Sequence, residues 1–422
     1  MPHINAWVPV PAGSDFTIYN LPYGAFVHQG RTRLGVAIGT RILDLYALAE
    51  AGLVDGVVER ELVQAQLLNP FLAAGPQVWK KLRLHVAGLL RGDDRGDARL
   101  RERNSDAFFV EQASAKMVVP MEIGDYVDFY SSLEHATNLG KILRPNSEPL
   151  LPNWRHMPIA YHGRASTVVI DGSAIVRPSG QRKPAGADAP VFGPTQRLDI
   201  ELEVGFVTGP GNKLGDPIRA AAAREHIFGL VLVNDWSARD IQAWDYQPLG
   251  PFLGKSFATT ISPWIVTLDA LEPFRVAGPQ QDPQPLPYLR GSDRSAYDIK
   301  LEVDVASQAM REAGVAAVTI SRTNFKELYW SMAQQLAHVT VNGTQIRPGD
   351  LYASGTISGR SPDSLGSFIE LTWNATKPLT LPHGEVRGFL QDGDEVTLRG
   401  WCEQGDFRIG FGSARGTIVP SR

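Results

Sequence analysis

The spacing of apolar and polar positions divides the chain near residue 120. Ahead of that point, residues 16–18, 24–28 and 33–38 are short apolar runs bounded by Asn, Pro and Gly, and 41–45 is apolar at Ile42, Leu43 and Leu45. All four predict strands. Helical spacing follows: one helix is predicted over 57–68, ended by Asn69-Pro70, and another over 77–90 with Val78, Leu82, Val86 and Leu89 on one stripe. The charged, glycine-containing stretch 91–103 predicts an exposed connection.

Beyond residue 120 the pattern turns to strands and turns. Residues 166–170 predict a strand, 199–207 alternates, and 228–233 is a continuous apolar run suited to a strand buried on both faces. Residues 298–305 alternate again, 324–336 have helical spacing, and 339–345 carry Asn342-Gly343, a hairpin signal. Residues 393–398 and 407–411 predict a closing turn and strand. Prolines stud 177–194 and 279–287, both predicted as extended surface loops. The expected fold class is therefore α+β, mainly β, with a smaller domain over 1–119 and a larger one over 120–422. A chain of 422 residues is long enough to bury two cores.

Composition narrows the function classes. With 43% hydrophobic residues, 20% charged residues and a formal net charge of -4, the chain reads as a soluble globular protein without a surface suited to nucleic acid. The single cysteine, Cys402, allows no internal disulfide; it points to a reducing compartment and excludes a thiolate zinc site. No apolar run is long enough to cross a bilayer and no secretory leader pattern stands at the start, so the expected location is cytoplasmic, with no membrane partner.

The chemistry concentrates in residues 124–144, where Asp125, Asp128, Tyr130, His135 and Arg144 are separated mainly by small or polar residues. The stretch reads as the edge of an active site. The alternative is a polar loop entering a short helix capped by Ser131 or Ser132, with Glu134 in the first turn. The amino-terminal histidines, His3, His28 and His85, have no acidic companions at useful spacing and read as surface or packing residues.

On a strand over 199–207, Glu201 and Glu203 would leave one face of the sheet. Two buried carboxylates about 4 Å apart repel by about 4 kcal/mol at an effective dielectric near 20. Asp235 follows the apolar run 228–233. If these acids met Asp128, a divalent cation or a cluster of basic groups would have to stand among them. Oxygen ligands without a cysteine or a histidine pair favour calcium or magnesium over zinc or copper. Spacing alone also allows a solvated strand face.

A second dense stretch covers 234–246 and 254–260. A helix over 237–244 would put Asp235, Arg239 and Gln242 on nearly one side. An ordinary Asp235–Arg239 surface pair fits the same spacing. Lys255 reads either as a structural lysine or as the partner of an acidic cluster.

Together these motifs resemble the fumarylacetoacetate hydrolase family. The resemblance runs through Ser14-Asp15-Phe16, Asn20-Leu21-Pro22-Tyr23-Gly24, Asp128-Phe129-Tyr130-Ser131-Ser132, Tyr161-His162-Gly163-Arg164-Ala165-Ser166, Asn234-Asp235-Trp236-Ser237-Ala238-Arg239-Asp240, Pro248-Leu249-Gly250-Pro251-Phe252-Leu253-Gly254-Lys255-Ser256 and Ala353-Ser354-Gly355-Thr356-Ile357-Ser358-Gly359. It implies a small SH3-like β-barrel followed by a larger mixed β-roll, working as a homodimer. It implies calcium or magnesium held by Asp128, Glu201, Glu203 and Asp235, with a further magnesium contact shared by Asp235, Lys255 and Thr259. Substrate contacts are implied at Tyr130, Arg144, Tyr161, Gln242, Tyr246 and Thr356, a catalytic base at His135 and its partner at Glu370. Leu143 departs from the aromatic residue that relatives often carry before the arginine.

The implied reaction is metal-dependent hydrolysis of 4-fumarylacetoacetate to fumarate and acetoacetate, the last step of tyrosine and phenylalanine catabolism. Water must lose a proton to attack, a task for His135 steadied by Glu370. Arg239, Gln242 and Lys255 are the candidates for holding the oxyanion. The alternatives are an acylpyruvate hydrolase or a keto-acid decarboxylase of the same superfamily. A metal-stabilised scaffold protein would gain nothing from His135 and Glu370.

Overall fold

The computed structural model describes residues 4–103, 105–292, 294–405 and 407–422. His3 lies outside the described residues. The fold is mixed, mainly β, as the pattern predicts. In the first part, a five-stranded antiparallel sheet runs in the order Phe109–Glu111, Arg41–Asp44, Arg31–Ile38, Tyr23–His28, Lys116–Val118. The Pro76–Leu90 helix buries Trp79, Leu82, Val86, Leu89 and Leu90. Val78 is only half-buried.

The central sheet of the second part follows the order Ala160–His162, Tyr126–Phe129, Leu351–Ala353, Leu202–Thr208, Ile227–Asp235, Thr259–Ile261, Val168–Ile170, with Val266–Thr267 beside Ile227–Asp235. Tyr126–Phe129 runs parallel to Leu351–Ala353, and Val168–Ile170 parallel to Thr259–Ile261. Ile227–Asp235 is buried at every position because both its faces are covered. Leu230 and Leu232 join Leu301, Val303, Leu398 and Phe411 of a second, five-stranded sheet, while Phe228, Val231 and Val233 join the core that contains Trp79, Leu82 and Val86. The first part is thus packed on the back of the sheet that carries the chemistry.

Several expectations change. Residues 16–18 are not a strand but lead into a turn over 18–20: Asn20 N–H donates to Thr17 O at 2.9 Å, and the Asn20 side chain donates to Asp15 O at 2.8 Å. The helix over 57–68 shrinks to Arg60–Gln64, with Asn69–Ala73 following it. The proline-rich 177–194 stretch is not devoid of regular structure. Ser179–Arg182 pairs with Val191–Pro194, and Pro194 stands at the end of its strand while Pro184 and Pro190 fall in the connecting loop. The predicted hairpin at 339–345 is absent. The Met332–Thr340 helix runs into it, and Gly343, at φ 90°, ends the helix by donating its N–H to Thr340 O at 2.8 Å.

Candidate active site

Sheet register delivers the acids to one place. Asp128 stands opposite Tyr161 on one neighbouring strand and Ala353 on the other. Glu203 is opposite Val233, two residues before Asp235, and Asp235 is opposite Thr259. The 199–207 stretch is not one strand: it breaks between Leu198–Asp199 and Leu202–Thr208, and Glu201 emerges from that break. Glu201 and Glu203 therefore converge through a kinked backbone rather than a shared strand face. Asp128, Glu201, Glu203 and Asp235 are all buried, and each offers an oxygen within 4.8 Å of the others.

Two cations answer part of this charge. Lys255 Nζ lies 2.6 Å from Glu201 Oε2 and 2.8 Å from Asp235 Oδ2. Arg239 Nη1 is 2.8 Å from Glu201 Oε1, and its Nε donates to Asp199 Oδ2 at 2.8 Å. The alternative of an Asp235–Arg239 surface pair does not form, because Asp235 ends a strand while Arg239 opens the Arg239–Asp245 helix. Asp235 instead accepts from Thr259 Oγ1 at 2.9 Å, from Lys255, and from the Tyr161 hydroxyl at 2.8 Å.

Two oxygens of the cluster have no protein donor. Asp128 Oδ1 and Glu203 Oε1 are buried and accept no hydrogen bond. Burial, followed by the neighbouring carboxylates, holds both acids well above the ordinary carboxylate range. At Glu201 burial pushes in the same direction, but Lys255 and Arg239 outweigh it and hold the carboxyl below its usual value. Buried, converging oxygens of this kind fit a metal ion, which would satisfy the two orphaned atoms and the surplus negative charge together.

Beside the acids stands a dyad. Ser132 caps the Leu133–Leu143 helix by accepting the His135 N–H at 3.2 Å, which places the imidazole on the first turn facing inward, 2% exposed. Its Nδ1 is 2.6 Å from Glu370 Oε2. Ser358 and Ser367 donate their hydroxyls to the same oxygen at 2.9 and 2.8 Å, and Asn138 donates to Oε1 at 3.0 Å. Burial alone would raise the Glu370 carboxyl; His135 and these donors reverse the direction and hold it below its ordinary value. The Tyr130 ring meets the imidazole edge-on, with centroids 5.4 Å apart.

The other sequence-predicted residues are placed unevenly. Gln242 joins the cluster by accepting from Arg239 Nη1 at 3.1 Å. Thr356 is buried with its Oγ1 unpartnered, directly after Gly355, whose N–H donates to Glu203 Oε2 at 3.0 Å. Arg144 stands at the end of the Leu133–Leu143 helix and donates to Pro149 O at 2.9 Å. Tyr246 is 36% exposed, and its hydroxyl accepts from Gln247, outside the cluster. Sequence reasoning missed Asn138, Ser358, Ser367 and Asp199. Asn138 alone had a local signal, three residues after His135 on one helix face.

A profile described as "Fumarylacetoacetase N-terminal" matches residues 19–120, and one described as "Fumarylacetoacetate (FAA) hydrolase C-terminal" matches residues 126–419. The chain is 50% identical over 424 residues to a fumarylacetoacetase of Homo sapiens, covering 99% of each. It is 50% identical over 425 residues to one of Arabidopsis thaliana, again covering 99% of each. It is 46% identical over 427 residues to one of Caenorhabditis elegans, covering 99% of this chain and 100% of that relative. A solved fumarylacetoacetate hydrolase from psychrophilic Exiguobacterium antarcticum shares the fold, with a TM-score of 0.53, 18% identity, and 95% and 99% of the two chains covered. By sequence along nearly its whole length, this chain belongs to the fumarylacetoacetate hydrolase family.

Proposed function

We propose that the chain hydrolyses 4-fumarylacetoacetate to fumarate and acetoacetate. The observation that carries this reading is the pairing of a buried acid cluster, two of whose oxygens lack donors, with a histidine–glutamate dyad. The chain's similarity to relatives named fumarylacetoacetase, at 50% identity end to end, supports the choice of substrate.

In this reading Asp128, Glu201, Glu203 and Asp235 hold calcium or magnesium, with Lys255 and Thr259 beside Asp235. When bound, the ion supplies Lewis-acid polarisation of carbonyl groups. His135 takes a proton from water on Nε2, its Nδ1 being engaged by Glu370. The hydroxide adds to the carbonyl next to the alkene. The carbon–carbon bond then breaks, its electron pair leaves with the acetoacetate fragment, and that fragment gains a proton. Arg239, Gln242 and Lys255 hold the oxyanion in between. Tyr130, Arg144, Tyr161, Tyr246 and Thr356 bind substrate, and Arg144 suits a terminal carboxylate.

The same reading makes residues 1–119 an SH3-like barrel domain and 120–422 a β-roll domain, in a cytoplasmic homodimer. No helix among the described residues is long and apolar enough to cross a membrane. The deciding experiment is a spectrophotometric assay of 4-fumarylacetoacetate loss with and without a chelator, run beside an acylpyruvate. Chelator-sensitive loss of the first substrate is the expected result. Preferred turnover of the acylpyruvate, or activity indifferent to a chelator, overturns the proposal.

A further inference from the structure

Asp199 is a fully buried carboxylate that no step above uses, yet it has as many hydrogen-bond partners as Glu370. Its Oδ1 accepts the N–H of Phe368 and of Ile200, both at 2.7 Å. Its Oδ2 accepts Arg239 Nε at 2.8 Å and the N–H of Ile369 at 3.1 Å. A carboxylate accepting this many donors is locked in position.

The partners lie on both sides of the catalytic centre. Arg239 reaches Glu201 and Gln242 through Nη1, while its Nη2 is buried with no partner. The Nε bond to Asp199 fixes the plane of the guanidinium and so fixes where Nη2 points. Phe368 and Ile369 are the first residues of the Phe368–Leu371 turn, whose third residue is Glu370. Ser367 stands at the cap position but gives no side-chain cap bond, so Asp199 supplies the acceptor that the first backbone N–H groups need.

We propose that Asp199 is a positioning residue that sets the Arg239 guanidinium and the His135–Glu370 dyad in register with each other. This inference rests on the proposed hydrolysis, in which Arg239 faces the oxyanion and His135 makes the nucleophile. The two groups come from segments distant in sequence, and Asp199 is the atom pair through which both are held. An amide at position 199 keeps the size but replaces one acceptor by an NH2 that confronts N–H donors.

The test is D199N assayed beside R239K and the double variant, with calcium binding by calorimetry on each purified protein. R239K retains the charge but has no Nε to donate to Asp199. The expected result is a fall in kcat of about 10²-fold for D199N and for R239K, KM changed little, calcium binding kept, and the double variant no worse than the single ones. A merely structural Asp199 would lower the yield of folded protein, leave kcat per calcium-binding site intact, and multiply its effect with R239K; that pattern overturns the proposal. If D199N does not fold, D199E takes its place, keeping the charge while displacing both acceptor oxygens by a methylene: wild-type kcat per calcium-binding site in D199E overturns the positioning role. Wild-type protein inactive on 4-fumarylacetoacetate would sink the functional reading instead, and is read separately.

Discussion

His135 Nδ1 lies 2.6 Å from Glu370 Oε2 although the two residues are 235 positions apart in the chain. The contact exists because a capped helix turn and a short turn after the 351–359 segment meet beside the acid cluster. Since Nδ1 is engaged, the imidazole has one nitrogen left with which to take a proton. We expect H135A to lower kcat by about 10²- to 10⁴-fold with KM nearly unchanged. E370Q should lower it comparably, because an amide can present its NH2 to the ring and select the wrong tautomer. Steady-state kinetics on calcium-loaded protein checks this. An E370Q variant with wild-type kcat would remove Glu370 from the mechanism.

The same contact predicts a pH dependence of stability. Folding holds the Glu370 carboxyl below its ordinary value of 4.5, so the unfolded chain binds the proton more tightly. The resulting stabilisation is fully present above about pH 4.5 and is lost as pH falls through the lower, folded-state value. Urea unfolding of wild-type and E370Q protein should therefore show a gap at pH 7 that narrows at pH 4. A gap that widens on acidification would contradict the direction of the shift.

What could be read in advance follows from how local each signal is. The run at 228–233 was legible because a strand buried on both faces must be apolar throughout, whatever its neighbours. Asp128, Asp235, Arg239 and Lys255 were legible as reagents because charged residues between apolar strands need partners. Their actual pairing was not, since it depends on strand register: Asp235 takes Lys255 and Thr259, and Arg239 takes Glu201 and Asp199. Asn342-Gly343 misled because the same dipeptide serves a hairpin or a helix end, and only the tertiary burial of the preceding helix decides. Ser358, though inside a motif, and Ser367 carried no signal of their role, because small hydroxyl residues acquire one only from the carboxylate that folding brings to them.

The orphaned oxygens make opposite predictions for the metal-free and metal-loaded protein. D128N and E203Q each remove an acid whose charged form burial and the other acids disfavour, so in chelator their melting temperatures should equal or exceed that of the wild type. Each also removes an oxygen anion suited to a hard cation. Calorimetry should show calcium affinity weakened about 10- to 100-fold or more, and calcium should raise the melting temperature less than in the wild type. Wild-type calcium affinity in both variants would show that the cluster is not the binding site.

Gly355 joins backbone conformation to the same cluster. Its φ is 76°, a left-handed value that costs a residue with a side chain about 1–2 kcal/mol. A Cβ there would also lie 2.1 Å from the carbonyl oxygen of Phe129, on the strand that carries Asp128. Relief requires the 353–356 segment to move away from that strand, and the Gly355 N–H that holds Glu203 Oε2 would move with it. Gly355→Ala should accordingly lower stability by more than the conformational cost alone, and weaken calcium binding although no ligand is replaced. Thermal melts with and without calcium separate these effects: a variant destabilised equally in both conditions, with calcium affinity intact, would mean that Gly355 serves the backbone turn only and not the acid cluster.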